Sequence, residues 1–196
     1  MNFTDLCAEV YKVTKRPDRV AETESAVKAA TLKCHQVDYF AKDLLEVGIN
    51  FGAAAFVQQF EYRQVIPLFR AGKYLRKYDA VNQTPGDMLD LVLPEQIFSR
   101  YGVQKQDIYY LAGAFYQINS STQEQYYLFG CYVHPDISSV NFNSWIAIEH
   151  PYAIIWRAAG TVFKAIGKDE EAAANKMLSD EEVALIKLSN VTNEGF

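Results

Sequence analysis

The sequence predicts an α+β fold: N- and C-terminal helices forming a helical bundle, with a central β-rich insert containing a long hairpin. Three observations predict it. Apolar residues recur at helical spacing from Leu6 to Ala41 and again after Asn143. Between these stretches Gly48, Gly52, Pro67, Gly72, Pro85–Gly86 and Pro94 punctuate chain rich in aromatic and β-branched residues. Within that insert Tyr126–His134 alternates strictly, with Tyr127, Phe129, Cys131 and Val133 on one face. The opposite face carries Tyr126, Leu128 and Tyr132, so both faces need cover.

Taken in order, Thr4 is read as the N-cap of a short helix with Leu6, Val10 and Val13 on one face, broken by Pro17. Asp18 is read as the cap of a longer helix through Val20, Val27, Ala30, Thr31, Cys34, Val37 and Ala41, fraying near Asp38–Lys42. Phe56–Tyr62 and Leu68–Tyr78 read as strands, and Gln83–Gly86 as a turn. Met88–Leu93 reads as a short strand, followed by a short helix from Pro94 to Arg100. The hairpin then runs out along Tyr109–Asn119, turns at Ser120–Gln125 and returns along Tyr126–His134. Pro151 opens a helix whose apolar stripe is Ile154, Ile155, Ala158, Val162, Phe163 and Ile166, stopped by Gly167. Asp169 caps the last helical region, which either splits at a Ser179–Glu182 capping box or continues as one helix through Leu188. The expected organisation is a single domain, 1–196: a helical part at 1–47 and 144–189, a β-rich insert at 48–143, and a mobile C-terminal tail at 190–196.

Composition excludes several function classes. A hydrophobic content of 49% is that of a folded chain, and the aromatic share of 14% is high enough to favour assembly surfaces. A net charge of −5 argues against a dedicated nucleic-acid binder. No stretch is long and apolar enough to span a membrane, and the start lacks a basic region followed by an apolar run, so no signal peptide is expected. Cys7, Cys34 and Cys131 are too far apart in sequence for a metal-ligand spacing and read as buried hydrophobes.

Catalytic and cofactor signatures are missing from the residues. Cys34 and His35 are neighbours, and helical neighbours point about 100° apart. A dyad of Cys34 with His134 or His150 has no motif behind it. Gly48–Gly52 lacks the lysine of a phosphate loop, and the three histidines lack ligand spacing. The runs Asp169–Glu171 and Asp180–Glu182 sit where acidic residues complement a helix dipole. No enzyme and no cofactor is therefore expected. One basic-aromatic segment, Arg70, Lys73, Arg76 and Lys77 among Phe69, Tyr74 and Tyr78, reads either as a DNA-tracking stripe or as an ion-paired edge.

The order of helices, insert and helices, with Phe3–Leu6, Lys15–Asp18, Ser120–Tyr127, Asn143–Ile146 and Ala158–Gly167, resembles the head-to-tail adaptor (connector) proteins of tailed bacteriophages. It is similar to the tail tubular protein A group of short-tailed phages, and the likeness spans nearly the whole chain. The resemblance implies a virion structural protein, assembled in the host cytoplasm and located in the neck between capsid and tail. It implies a closed ring of about twelve copies of itself. The ring docks below the portal protein, extends the channel for passing double-stranded DNA without sequence-specific binding, and attaches a tail or nozzle protein. The C-terminal segment, with Leu185, Leu188, Asn190, Val191 and Phe196, would dock the portal. Ser120, Gln123, Gln125, Tyr126, Leu128 and Tyr132 would face a neighbouring subunit or the tail. Alternatives are a neck or tail-completion protein that contacts the tail rather than the portal, and, at a distance, a small cysteine/histidine hydrolase.

Overall fold

The computed structural model describes residues 1–194, with side chains through Asn190. In chain order the elements are helices α1 (Phe3–Thr14) and α2 (Val20–Gln36), strand β1 (Leu44–Glu61), one-turn helix α3 (Tyr62–Val65), and strands β2 (Phe69–Asp79), β3 (Thr84–Leu91), β4 (Ile108–Ala112) and β5 (Phe115–Val133). Helices α4 (Trp145–Glu149), α5 (Pro151–Ala165) and α6 (Asp169–Glu194) follow. The protein is mixed α+β, with six α-helices among the described residues and a β-rich central region. It divides into two compact units: a helical unit made of Met1–Asp43 and the chain from His134 on, and a β unit, Leu44–Val133.

In the helical unit, the cap of α1 is Asn2 rather than Thr4. The Asn2 side chain accepts the Asp5 N–H at 2.8 Å and Asp5 reaches back to the Asn2 N–H, a reciprocal capping box. The helix buries Phe3, Leu6, Cys7 and Val10. Helix α2 ends at Gln36, not near Ala41, and buries Ala26, Val27, Ala30 and Cys34. Small side chains on that face let α5 approach, whose buried face is Ala153, Ile154, Ile155, Ala158, Ala159 and Val162. Ser179 does not cap a new helix: α6 runs through it unbroken, and its buried hydroxyl donates to the Ala153 carbonyl at 2.8 Å. One hydrophobic core draws on α1, α2, α4, α5 and α6 and includes Phe40 from the link after α2.

The β unit is built around the 19 residues of β5. Its C-terminal half lies between β1 and β2, and its N-terminal half between β1 and β4. Strands β2 and β3 pair antiparallel, and β3 pairs in parallel with β4 at Asp90–Ile108 and Leu91–Tyr109. The path β5–β2–β3–β4–β5 is thus a closed circuit, with β1 running outside it along β5. The first and last residues of the unit come together, since Leu44 pairs with Tyr132. Leu75, Phe129, Tyr127 and Cys131 are wholly buried at its centre, with Tyr109, Tyr116, Ile118 and Phe60 around them. Phe129 meets Tyr116 at 4.9 Å and Phe60 at 5.2 Å between ring centroids, the tilted contacts that aromatic quadrupoles favour.

The hairpin differs from its expected form. Its turn is Gly113–Ala114, between β4 and β5, with Gly113 at φ +63°, a backbone that glycine adopts without cost. Residues 120–125, expected as the turn, lie inside β5. There β1 and β5 each hold extra residues, so the pairing leaves register after Asn50–Tyr126 and regains it at Val57–Asn119. Gly52, at φ +76°, sits in this irregular stretch, as bulged strands require. The polar run Ser120–Gln125 was a true break in regularity. It marks a double bulge in a long strand instead of a chain reversal.

Other boundaries also shift. β1 begins at Leu44, since Leu44–Asn50 pairs along β5, and the β unit ends at Val133, before the expected 143. The helix expected from Pro94 to Arg100 shrinks to a 3₁₀ turn, Pro94–Gln96. Asn190, expected to open a separate tail, lies in α6, which continues to Glu194.

Candidate interaction surfaces

Helix α6 buries one apolar stripe and carries four large apolar side chains on the opposite side, with the exposed Glu181 among them. Ser179, Val183 and Ile186 are buried, whereas Met177, Leu178, Leu185 and Leu188 are 66%, 43%, 59% and 65% exposed. At 100° per residue the four exposed residues fall within about 100° of helix surface, opposite the buried stripe. Leu185 and Leu188, which the resemblance assigns to docking, stand on this side together with Met177 and Leu178, which it did not name, and Glu181 lies between the two pairs. Asn190 is half-buried and its side-chain oxygen accepts the Ala41 N–H at 3.3 Å. The Val191 side chain and all of Phe196 lie outside the described residues.

The residues expected at a hairpin tip are spread along β5. Ser120 is 1% exposed and Tyr132 is 7% exposed, with the Lys73 ammonium over the Tyr132 ring at 5.4 Å. Both side chains are buried in the β unit, so neither offers a contact surface. Gln123 is exposed, while Gln125, Tyr126 and Leu128 are half-buried. The alternation of Tyr127, Phe129 and Cys131 into the core holds, and Val133 packs against it. Gln123, Gln125 and Tyr126 come together with Lys77 and Tyr78 around a cleft of about 560 Å³.

Of the basic segment on β2, Arg76 pairs with Glu46 at 2.8 Å, and Lys77 is buried against Asp107 at 2.7 Å with Thr122 Oγ1 at 2.9 Å. Arg70 is half-buried and Lys73 is exposed. Burial alone would raise the Asp107 carboxyl, but the Lys77 ammonium and the Ser121 N–H and hydroxyl outweigh it and bring it down to about 2. The usual aspartate value is near 3.9, so this contact contributes stability above about pH 4 that is lost as pH falls toward 2. Asp107→Asn should flatten the acid end of the β unit's stability profile, read by tyrosine near-UV circular dichroism between pH 5 and pH 2. An unchanged acid transition would show that the pair does not govern it.

Three dimensions gather a second basic surface that sequence spacing hid. Lys33 of α2, Lys164 of α5 and Lys176 of α6 line a groove of about 430 Å³ with Arg157 and Asp169. Arg157 is engaged by Asp180, while the three lysines make no ion pair among the described residues.

The other unforeseen constellation is His35–Asp43–Ser144. His35 Nδ1 lies 2.8 Å from Asp43 Oδ1, and Nε2 lies 2.9 Å from Ser144 Oγ. Trp145 Nε1–H donates to the same carboxylate oxygen at 2.8 Å. Such a relay is the geometry of an activated serine. Here, however, His35, Asp43 and Ser144 are 1%, 5% and 4% exposed, and Ser144 is the N-cap of α4, accepting the Ala147 N–H. Its geometry ties the end of α2, the link to β1 and the start of α4. The Cys34 thiol points elsewhere, to the Ala153 carbonyl, and burial pushes it up to about 11, as it does Cys7 and Cys131. Thiols held that high are poor nucleophiles near neutrality.

In the β unit the sequence reading missed a run of exposed apolar side chains between β3 and β4. Leu93, Phe98, Tyr101 and Val103 are 56%, 60%, 88% and 65% exposed. Among the described residues no three or more His, Cys, Asp or Glu side chains form a metal-holding group, and no helix is long and apolar enough to cross a membrane. No protein-family model matches the chain, and no curated protein matches its sequence.

Proposed function

We propose that this chain is a virion structural protein, a ring-forming head-to-tail adaptor of a tailed bacteriophage that docks below the portal and carries the tail. The observation that carries the reading is the two-sided α6: a helix that spends one apolar face on its own core and holds four large apolar side chains outward is built to be covered. In this reading the helices of the two terminal segments form a helical bundle at the portal side, which their shared core supports. The side bearing Met177, Leu178, Leu185 and Leu188 is then the portal-docking face, and the assembled ring extends the DNA channel. The tail or nozzle protein attaches beneath.

Leu185→Asp together with Leu188→Asp tests this. Both side chains are exposed, so the free protein should keep its stability to within about 1 kcal/mol. Each leucine buried on docking is worth about 1.5–3 kcal/mol, so affinity for isolated portal rings should fall by a factor of roughly 100 or more. Co-sedimentation with portal at wild-type affinity would sink the docking assignment. A wild-type protein that ignores portal and binds isolated tails would favour the tail-completion reading.

A further inference from the structure

In the closed circuit β5–β2–β3–β4–β5 every strand has neighbours on both edges, whereas β1 pairs with β5 on one edge only. Among the described strands β1 thus holds the longest open edge, 18 residues, since β2, β3 and β4 leave only short unpaired stretches around the Asp90–Ile108 and Leu91–Tyr109 pairs. Natural edges of that length are guarded by lysine, proline or inward charge, because an open row of N–H and C=O groups recruits any extended chain. From Val47 to Phe60, β1 has no charged residue and no proline. The irregular stretch after Asn50 is its sole interruption, and beyond it Phe56 and Val57 are 48% and 62% exposed.

The same unit carries a second surface that its own chain leaves uncovered, the segment between β3 and β4. A single bridge, Phe98–Gln104, and a few turn hydrogen bonds hold it, so much of its backbone remains available for pairing. The two surfaces match in kind. Both are apolar, β1 ends in Glu61, and the segment carries Arg100 and Lys105; none of the three makes an ion pair among the described residues. A ring contact is heterologous and needs two different patches on each copy, whereas an edge that met its own twin would close a dimer.

We propose that the segment between β3 and β4 of one copy lies along the open edge of β1 in the next, adding main-chain hydrogen bonds to the ring contact. This deepens, and rests on, the adaptor reading. Strand addition of this kind draws affinity from backbone pairing and selectivity from flanking side chains, which suits an edge without charge.

The test is crosslinking of the double variant Val57→Cys/Tyr101→Cys assembled on portal, with a short bifunctional maleimide. Both positions are exposed, and the native Cys7, Cys34 and Cys131 are buried, which keeps the background low. The expected result is a ladder of multimers from the double variant and none from Val57→Cys alone. Dimers from Val57→Cys alone would mean that edge meets edge, and would overturn the pairing. Rings visible by electron microscopy but uncrosslinked would overturn it while leaving the adaptor reading standing. If the wild-type protein forms no rings on portal, both fall together.

Discussion

Asp43→Ala should lower the stability of the helical unit by about 3–5 kcal/mol, the cost of leaving buried partners of a carboxylate uncompensated. Asp43 accepts from His35 on both carboxylate oxygens and from the Trp145 indole. Removing it strands two donors in a region almost without solvent, each worth about 1–3 kcal/mol. At about 2–4 °C per kcal/mol for a chain of this size, the thermal midpoint should fall by roughly 6–20 °C. The readout is clean, because both tryptophans of the chain, Trp145 and Trp156, belong to the helical unit. Asp43→Asn keeps an acceptor in the same place and should lose less. A midpoint that does not move in Asp43→Ala would mean that the network is incidental to the fold.

Phe129→Ala should cost the β unit about 3–5 kcal/mol, the range for deleting a buried aromatic ring. The ring is wholly buried and touches Phe60, Phe69 and Tyr116, so its loss opens a cavity at the point where β5 meets its neighbours. Leu128→Ser, one residue away on the other face of the same strand and half-buried, should cost far less. Amide exchange of β5 and tyrosine near-UV circular dichroism report on this unit. Similar losses in the two variants would show that both faces of β5 are interior, and would remove Leu128 from any interface. Tyr132 is already removed by its burial.

What the sequence made legible is what periodicity encodes. The stripes of α1 and α5, the α2 stripe from Val27 to Cys34 and the alternation at Tyr127–Cys131 appear in the structure as largely buried faces, while Val20 and Ala41 at the ends of the α2 stripe are exposed. The hairpin turn was misread because Ser120–Gln125 is polar enough to look like a loop, while the tighter signal, Gly113 between two alanines, was brief. A double bulge has no local signature distinct from a turn; only the partner strand reveals it. Caps moved by a residue or two where several polar residues compete, as at Asn2 against Thr4. The sites were less legible than the fold. His35, Asp43 and Ser144 are far apart in sequence, and so are Lys33, Lys164 and Lys176. Leu185 and Leu188 were named only because the resemblance assigns the C-terminal segment to docking, not from the helical pattern. The segment around Tyr101 was not named, because isolated apolar residues in a loop break no pattern.

The pairing of Leu44 with Tyr132 has a thermodynamic consequence for the rest of the chain. The helical unit is discontinuous, and with the β unit unfolded it must close a loop of about ninety residues to bring its two halves together. Once the β unit folds, its ends are neighbours and the loop shrinks to a length of a few residues. Since closure entropy grows by about 0.6 kcal/mol for each doubling of loop length, this change is worth roughly 2–3 kcal/mol to the helical unit. The two units are thereby coupled through chain connectivity alone. Whatever stabilises the β unit, a neighbouring strand on its open edge included, lends stability to the helices in which α6 must hold its exposed apolar side chains.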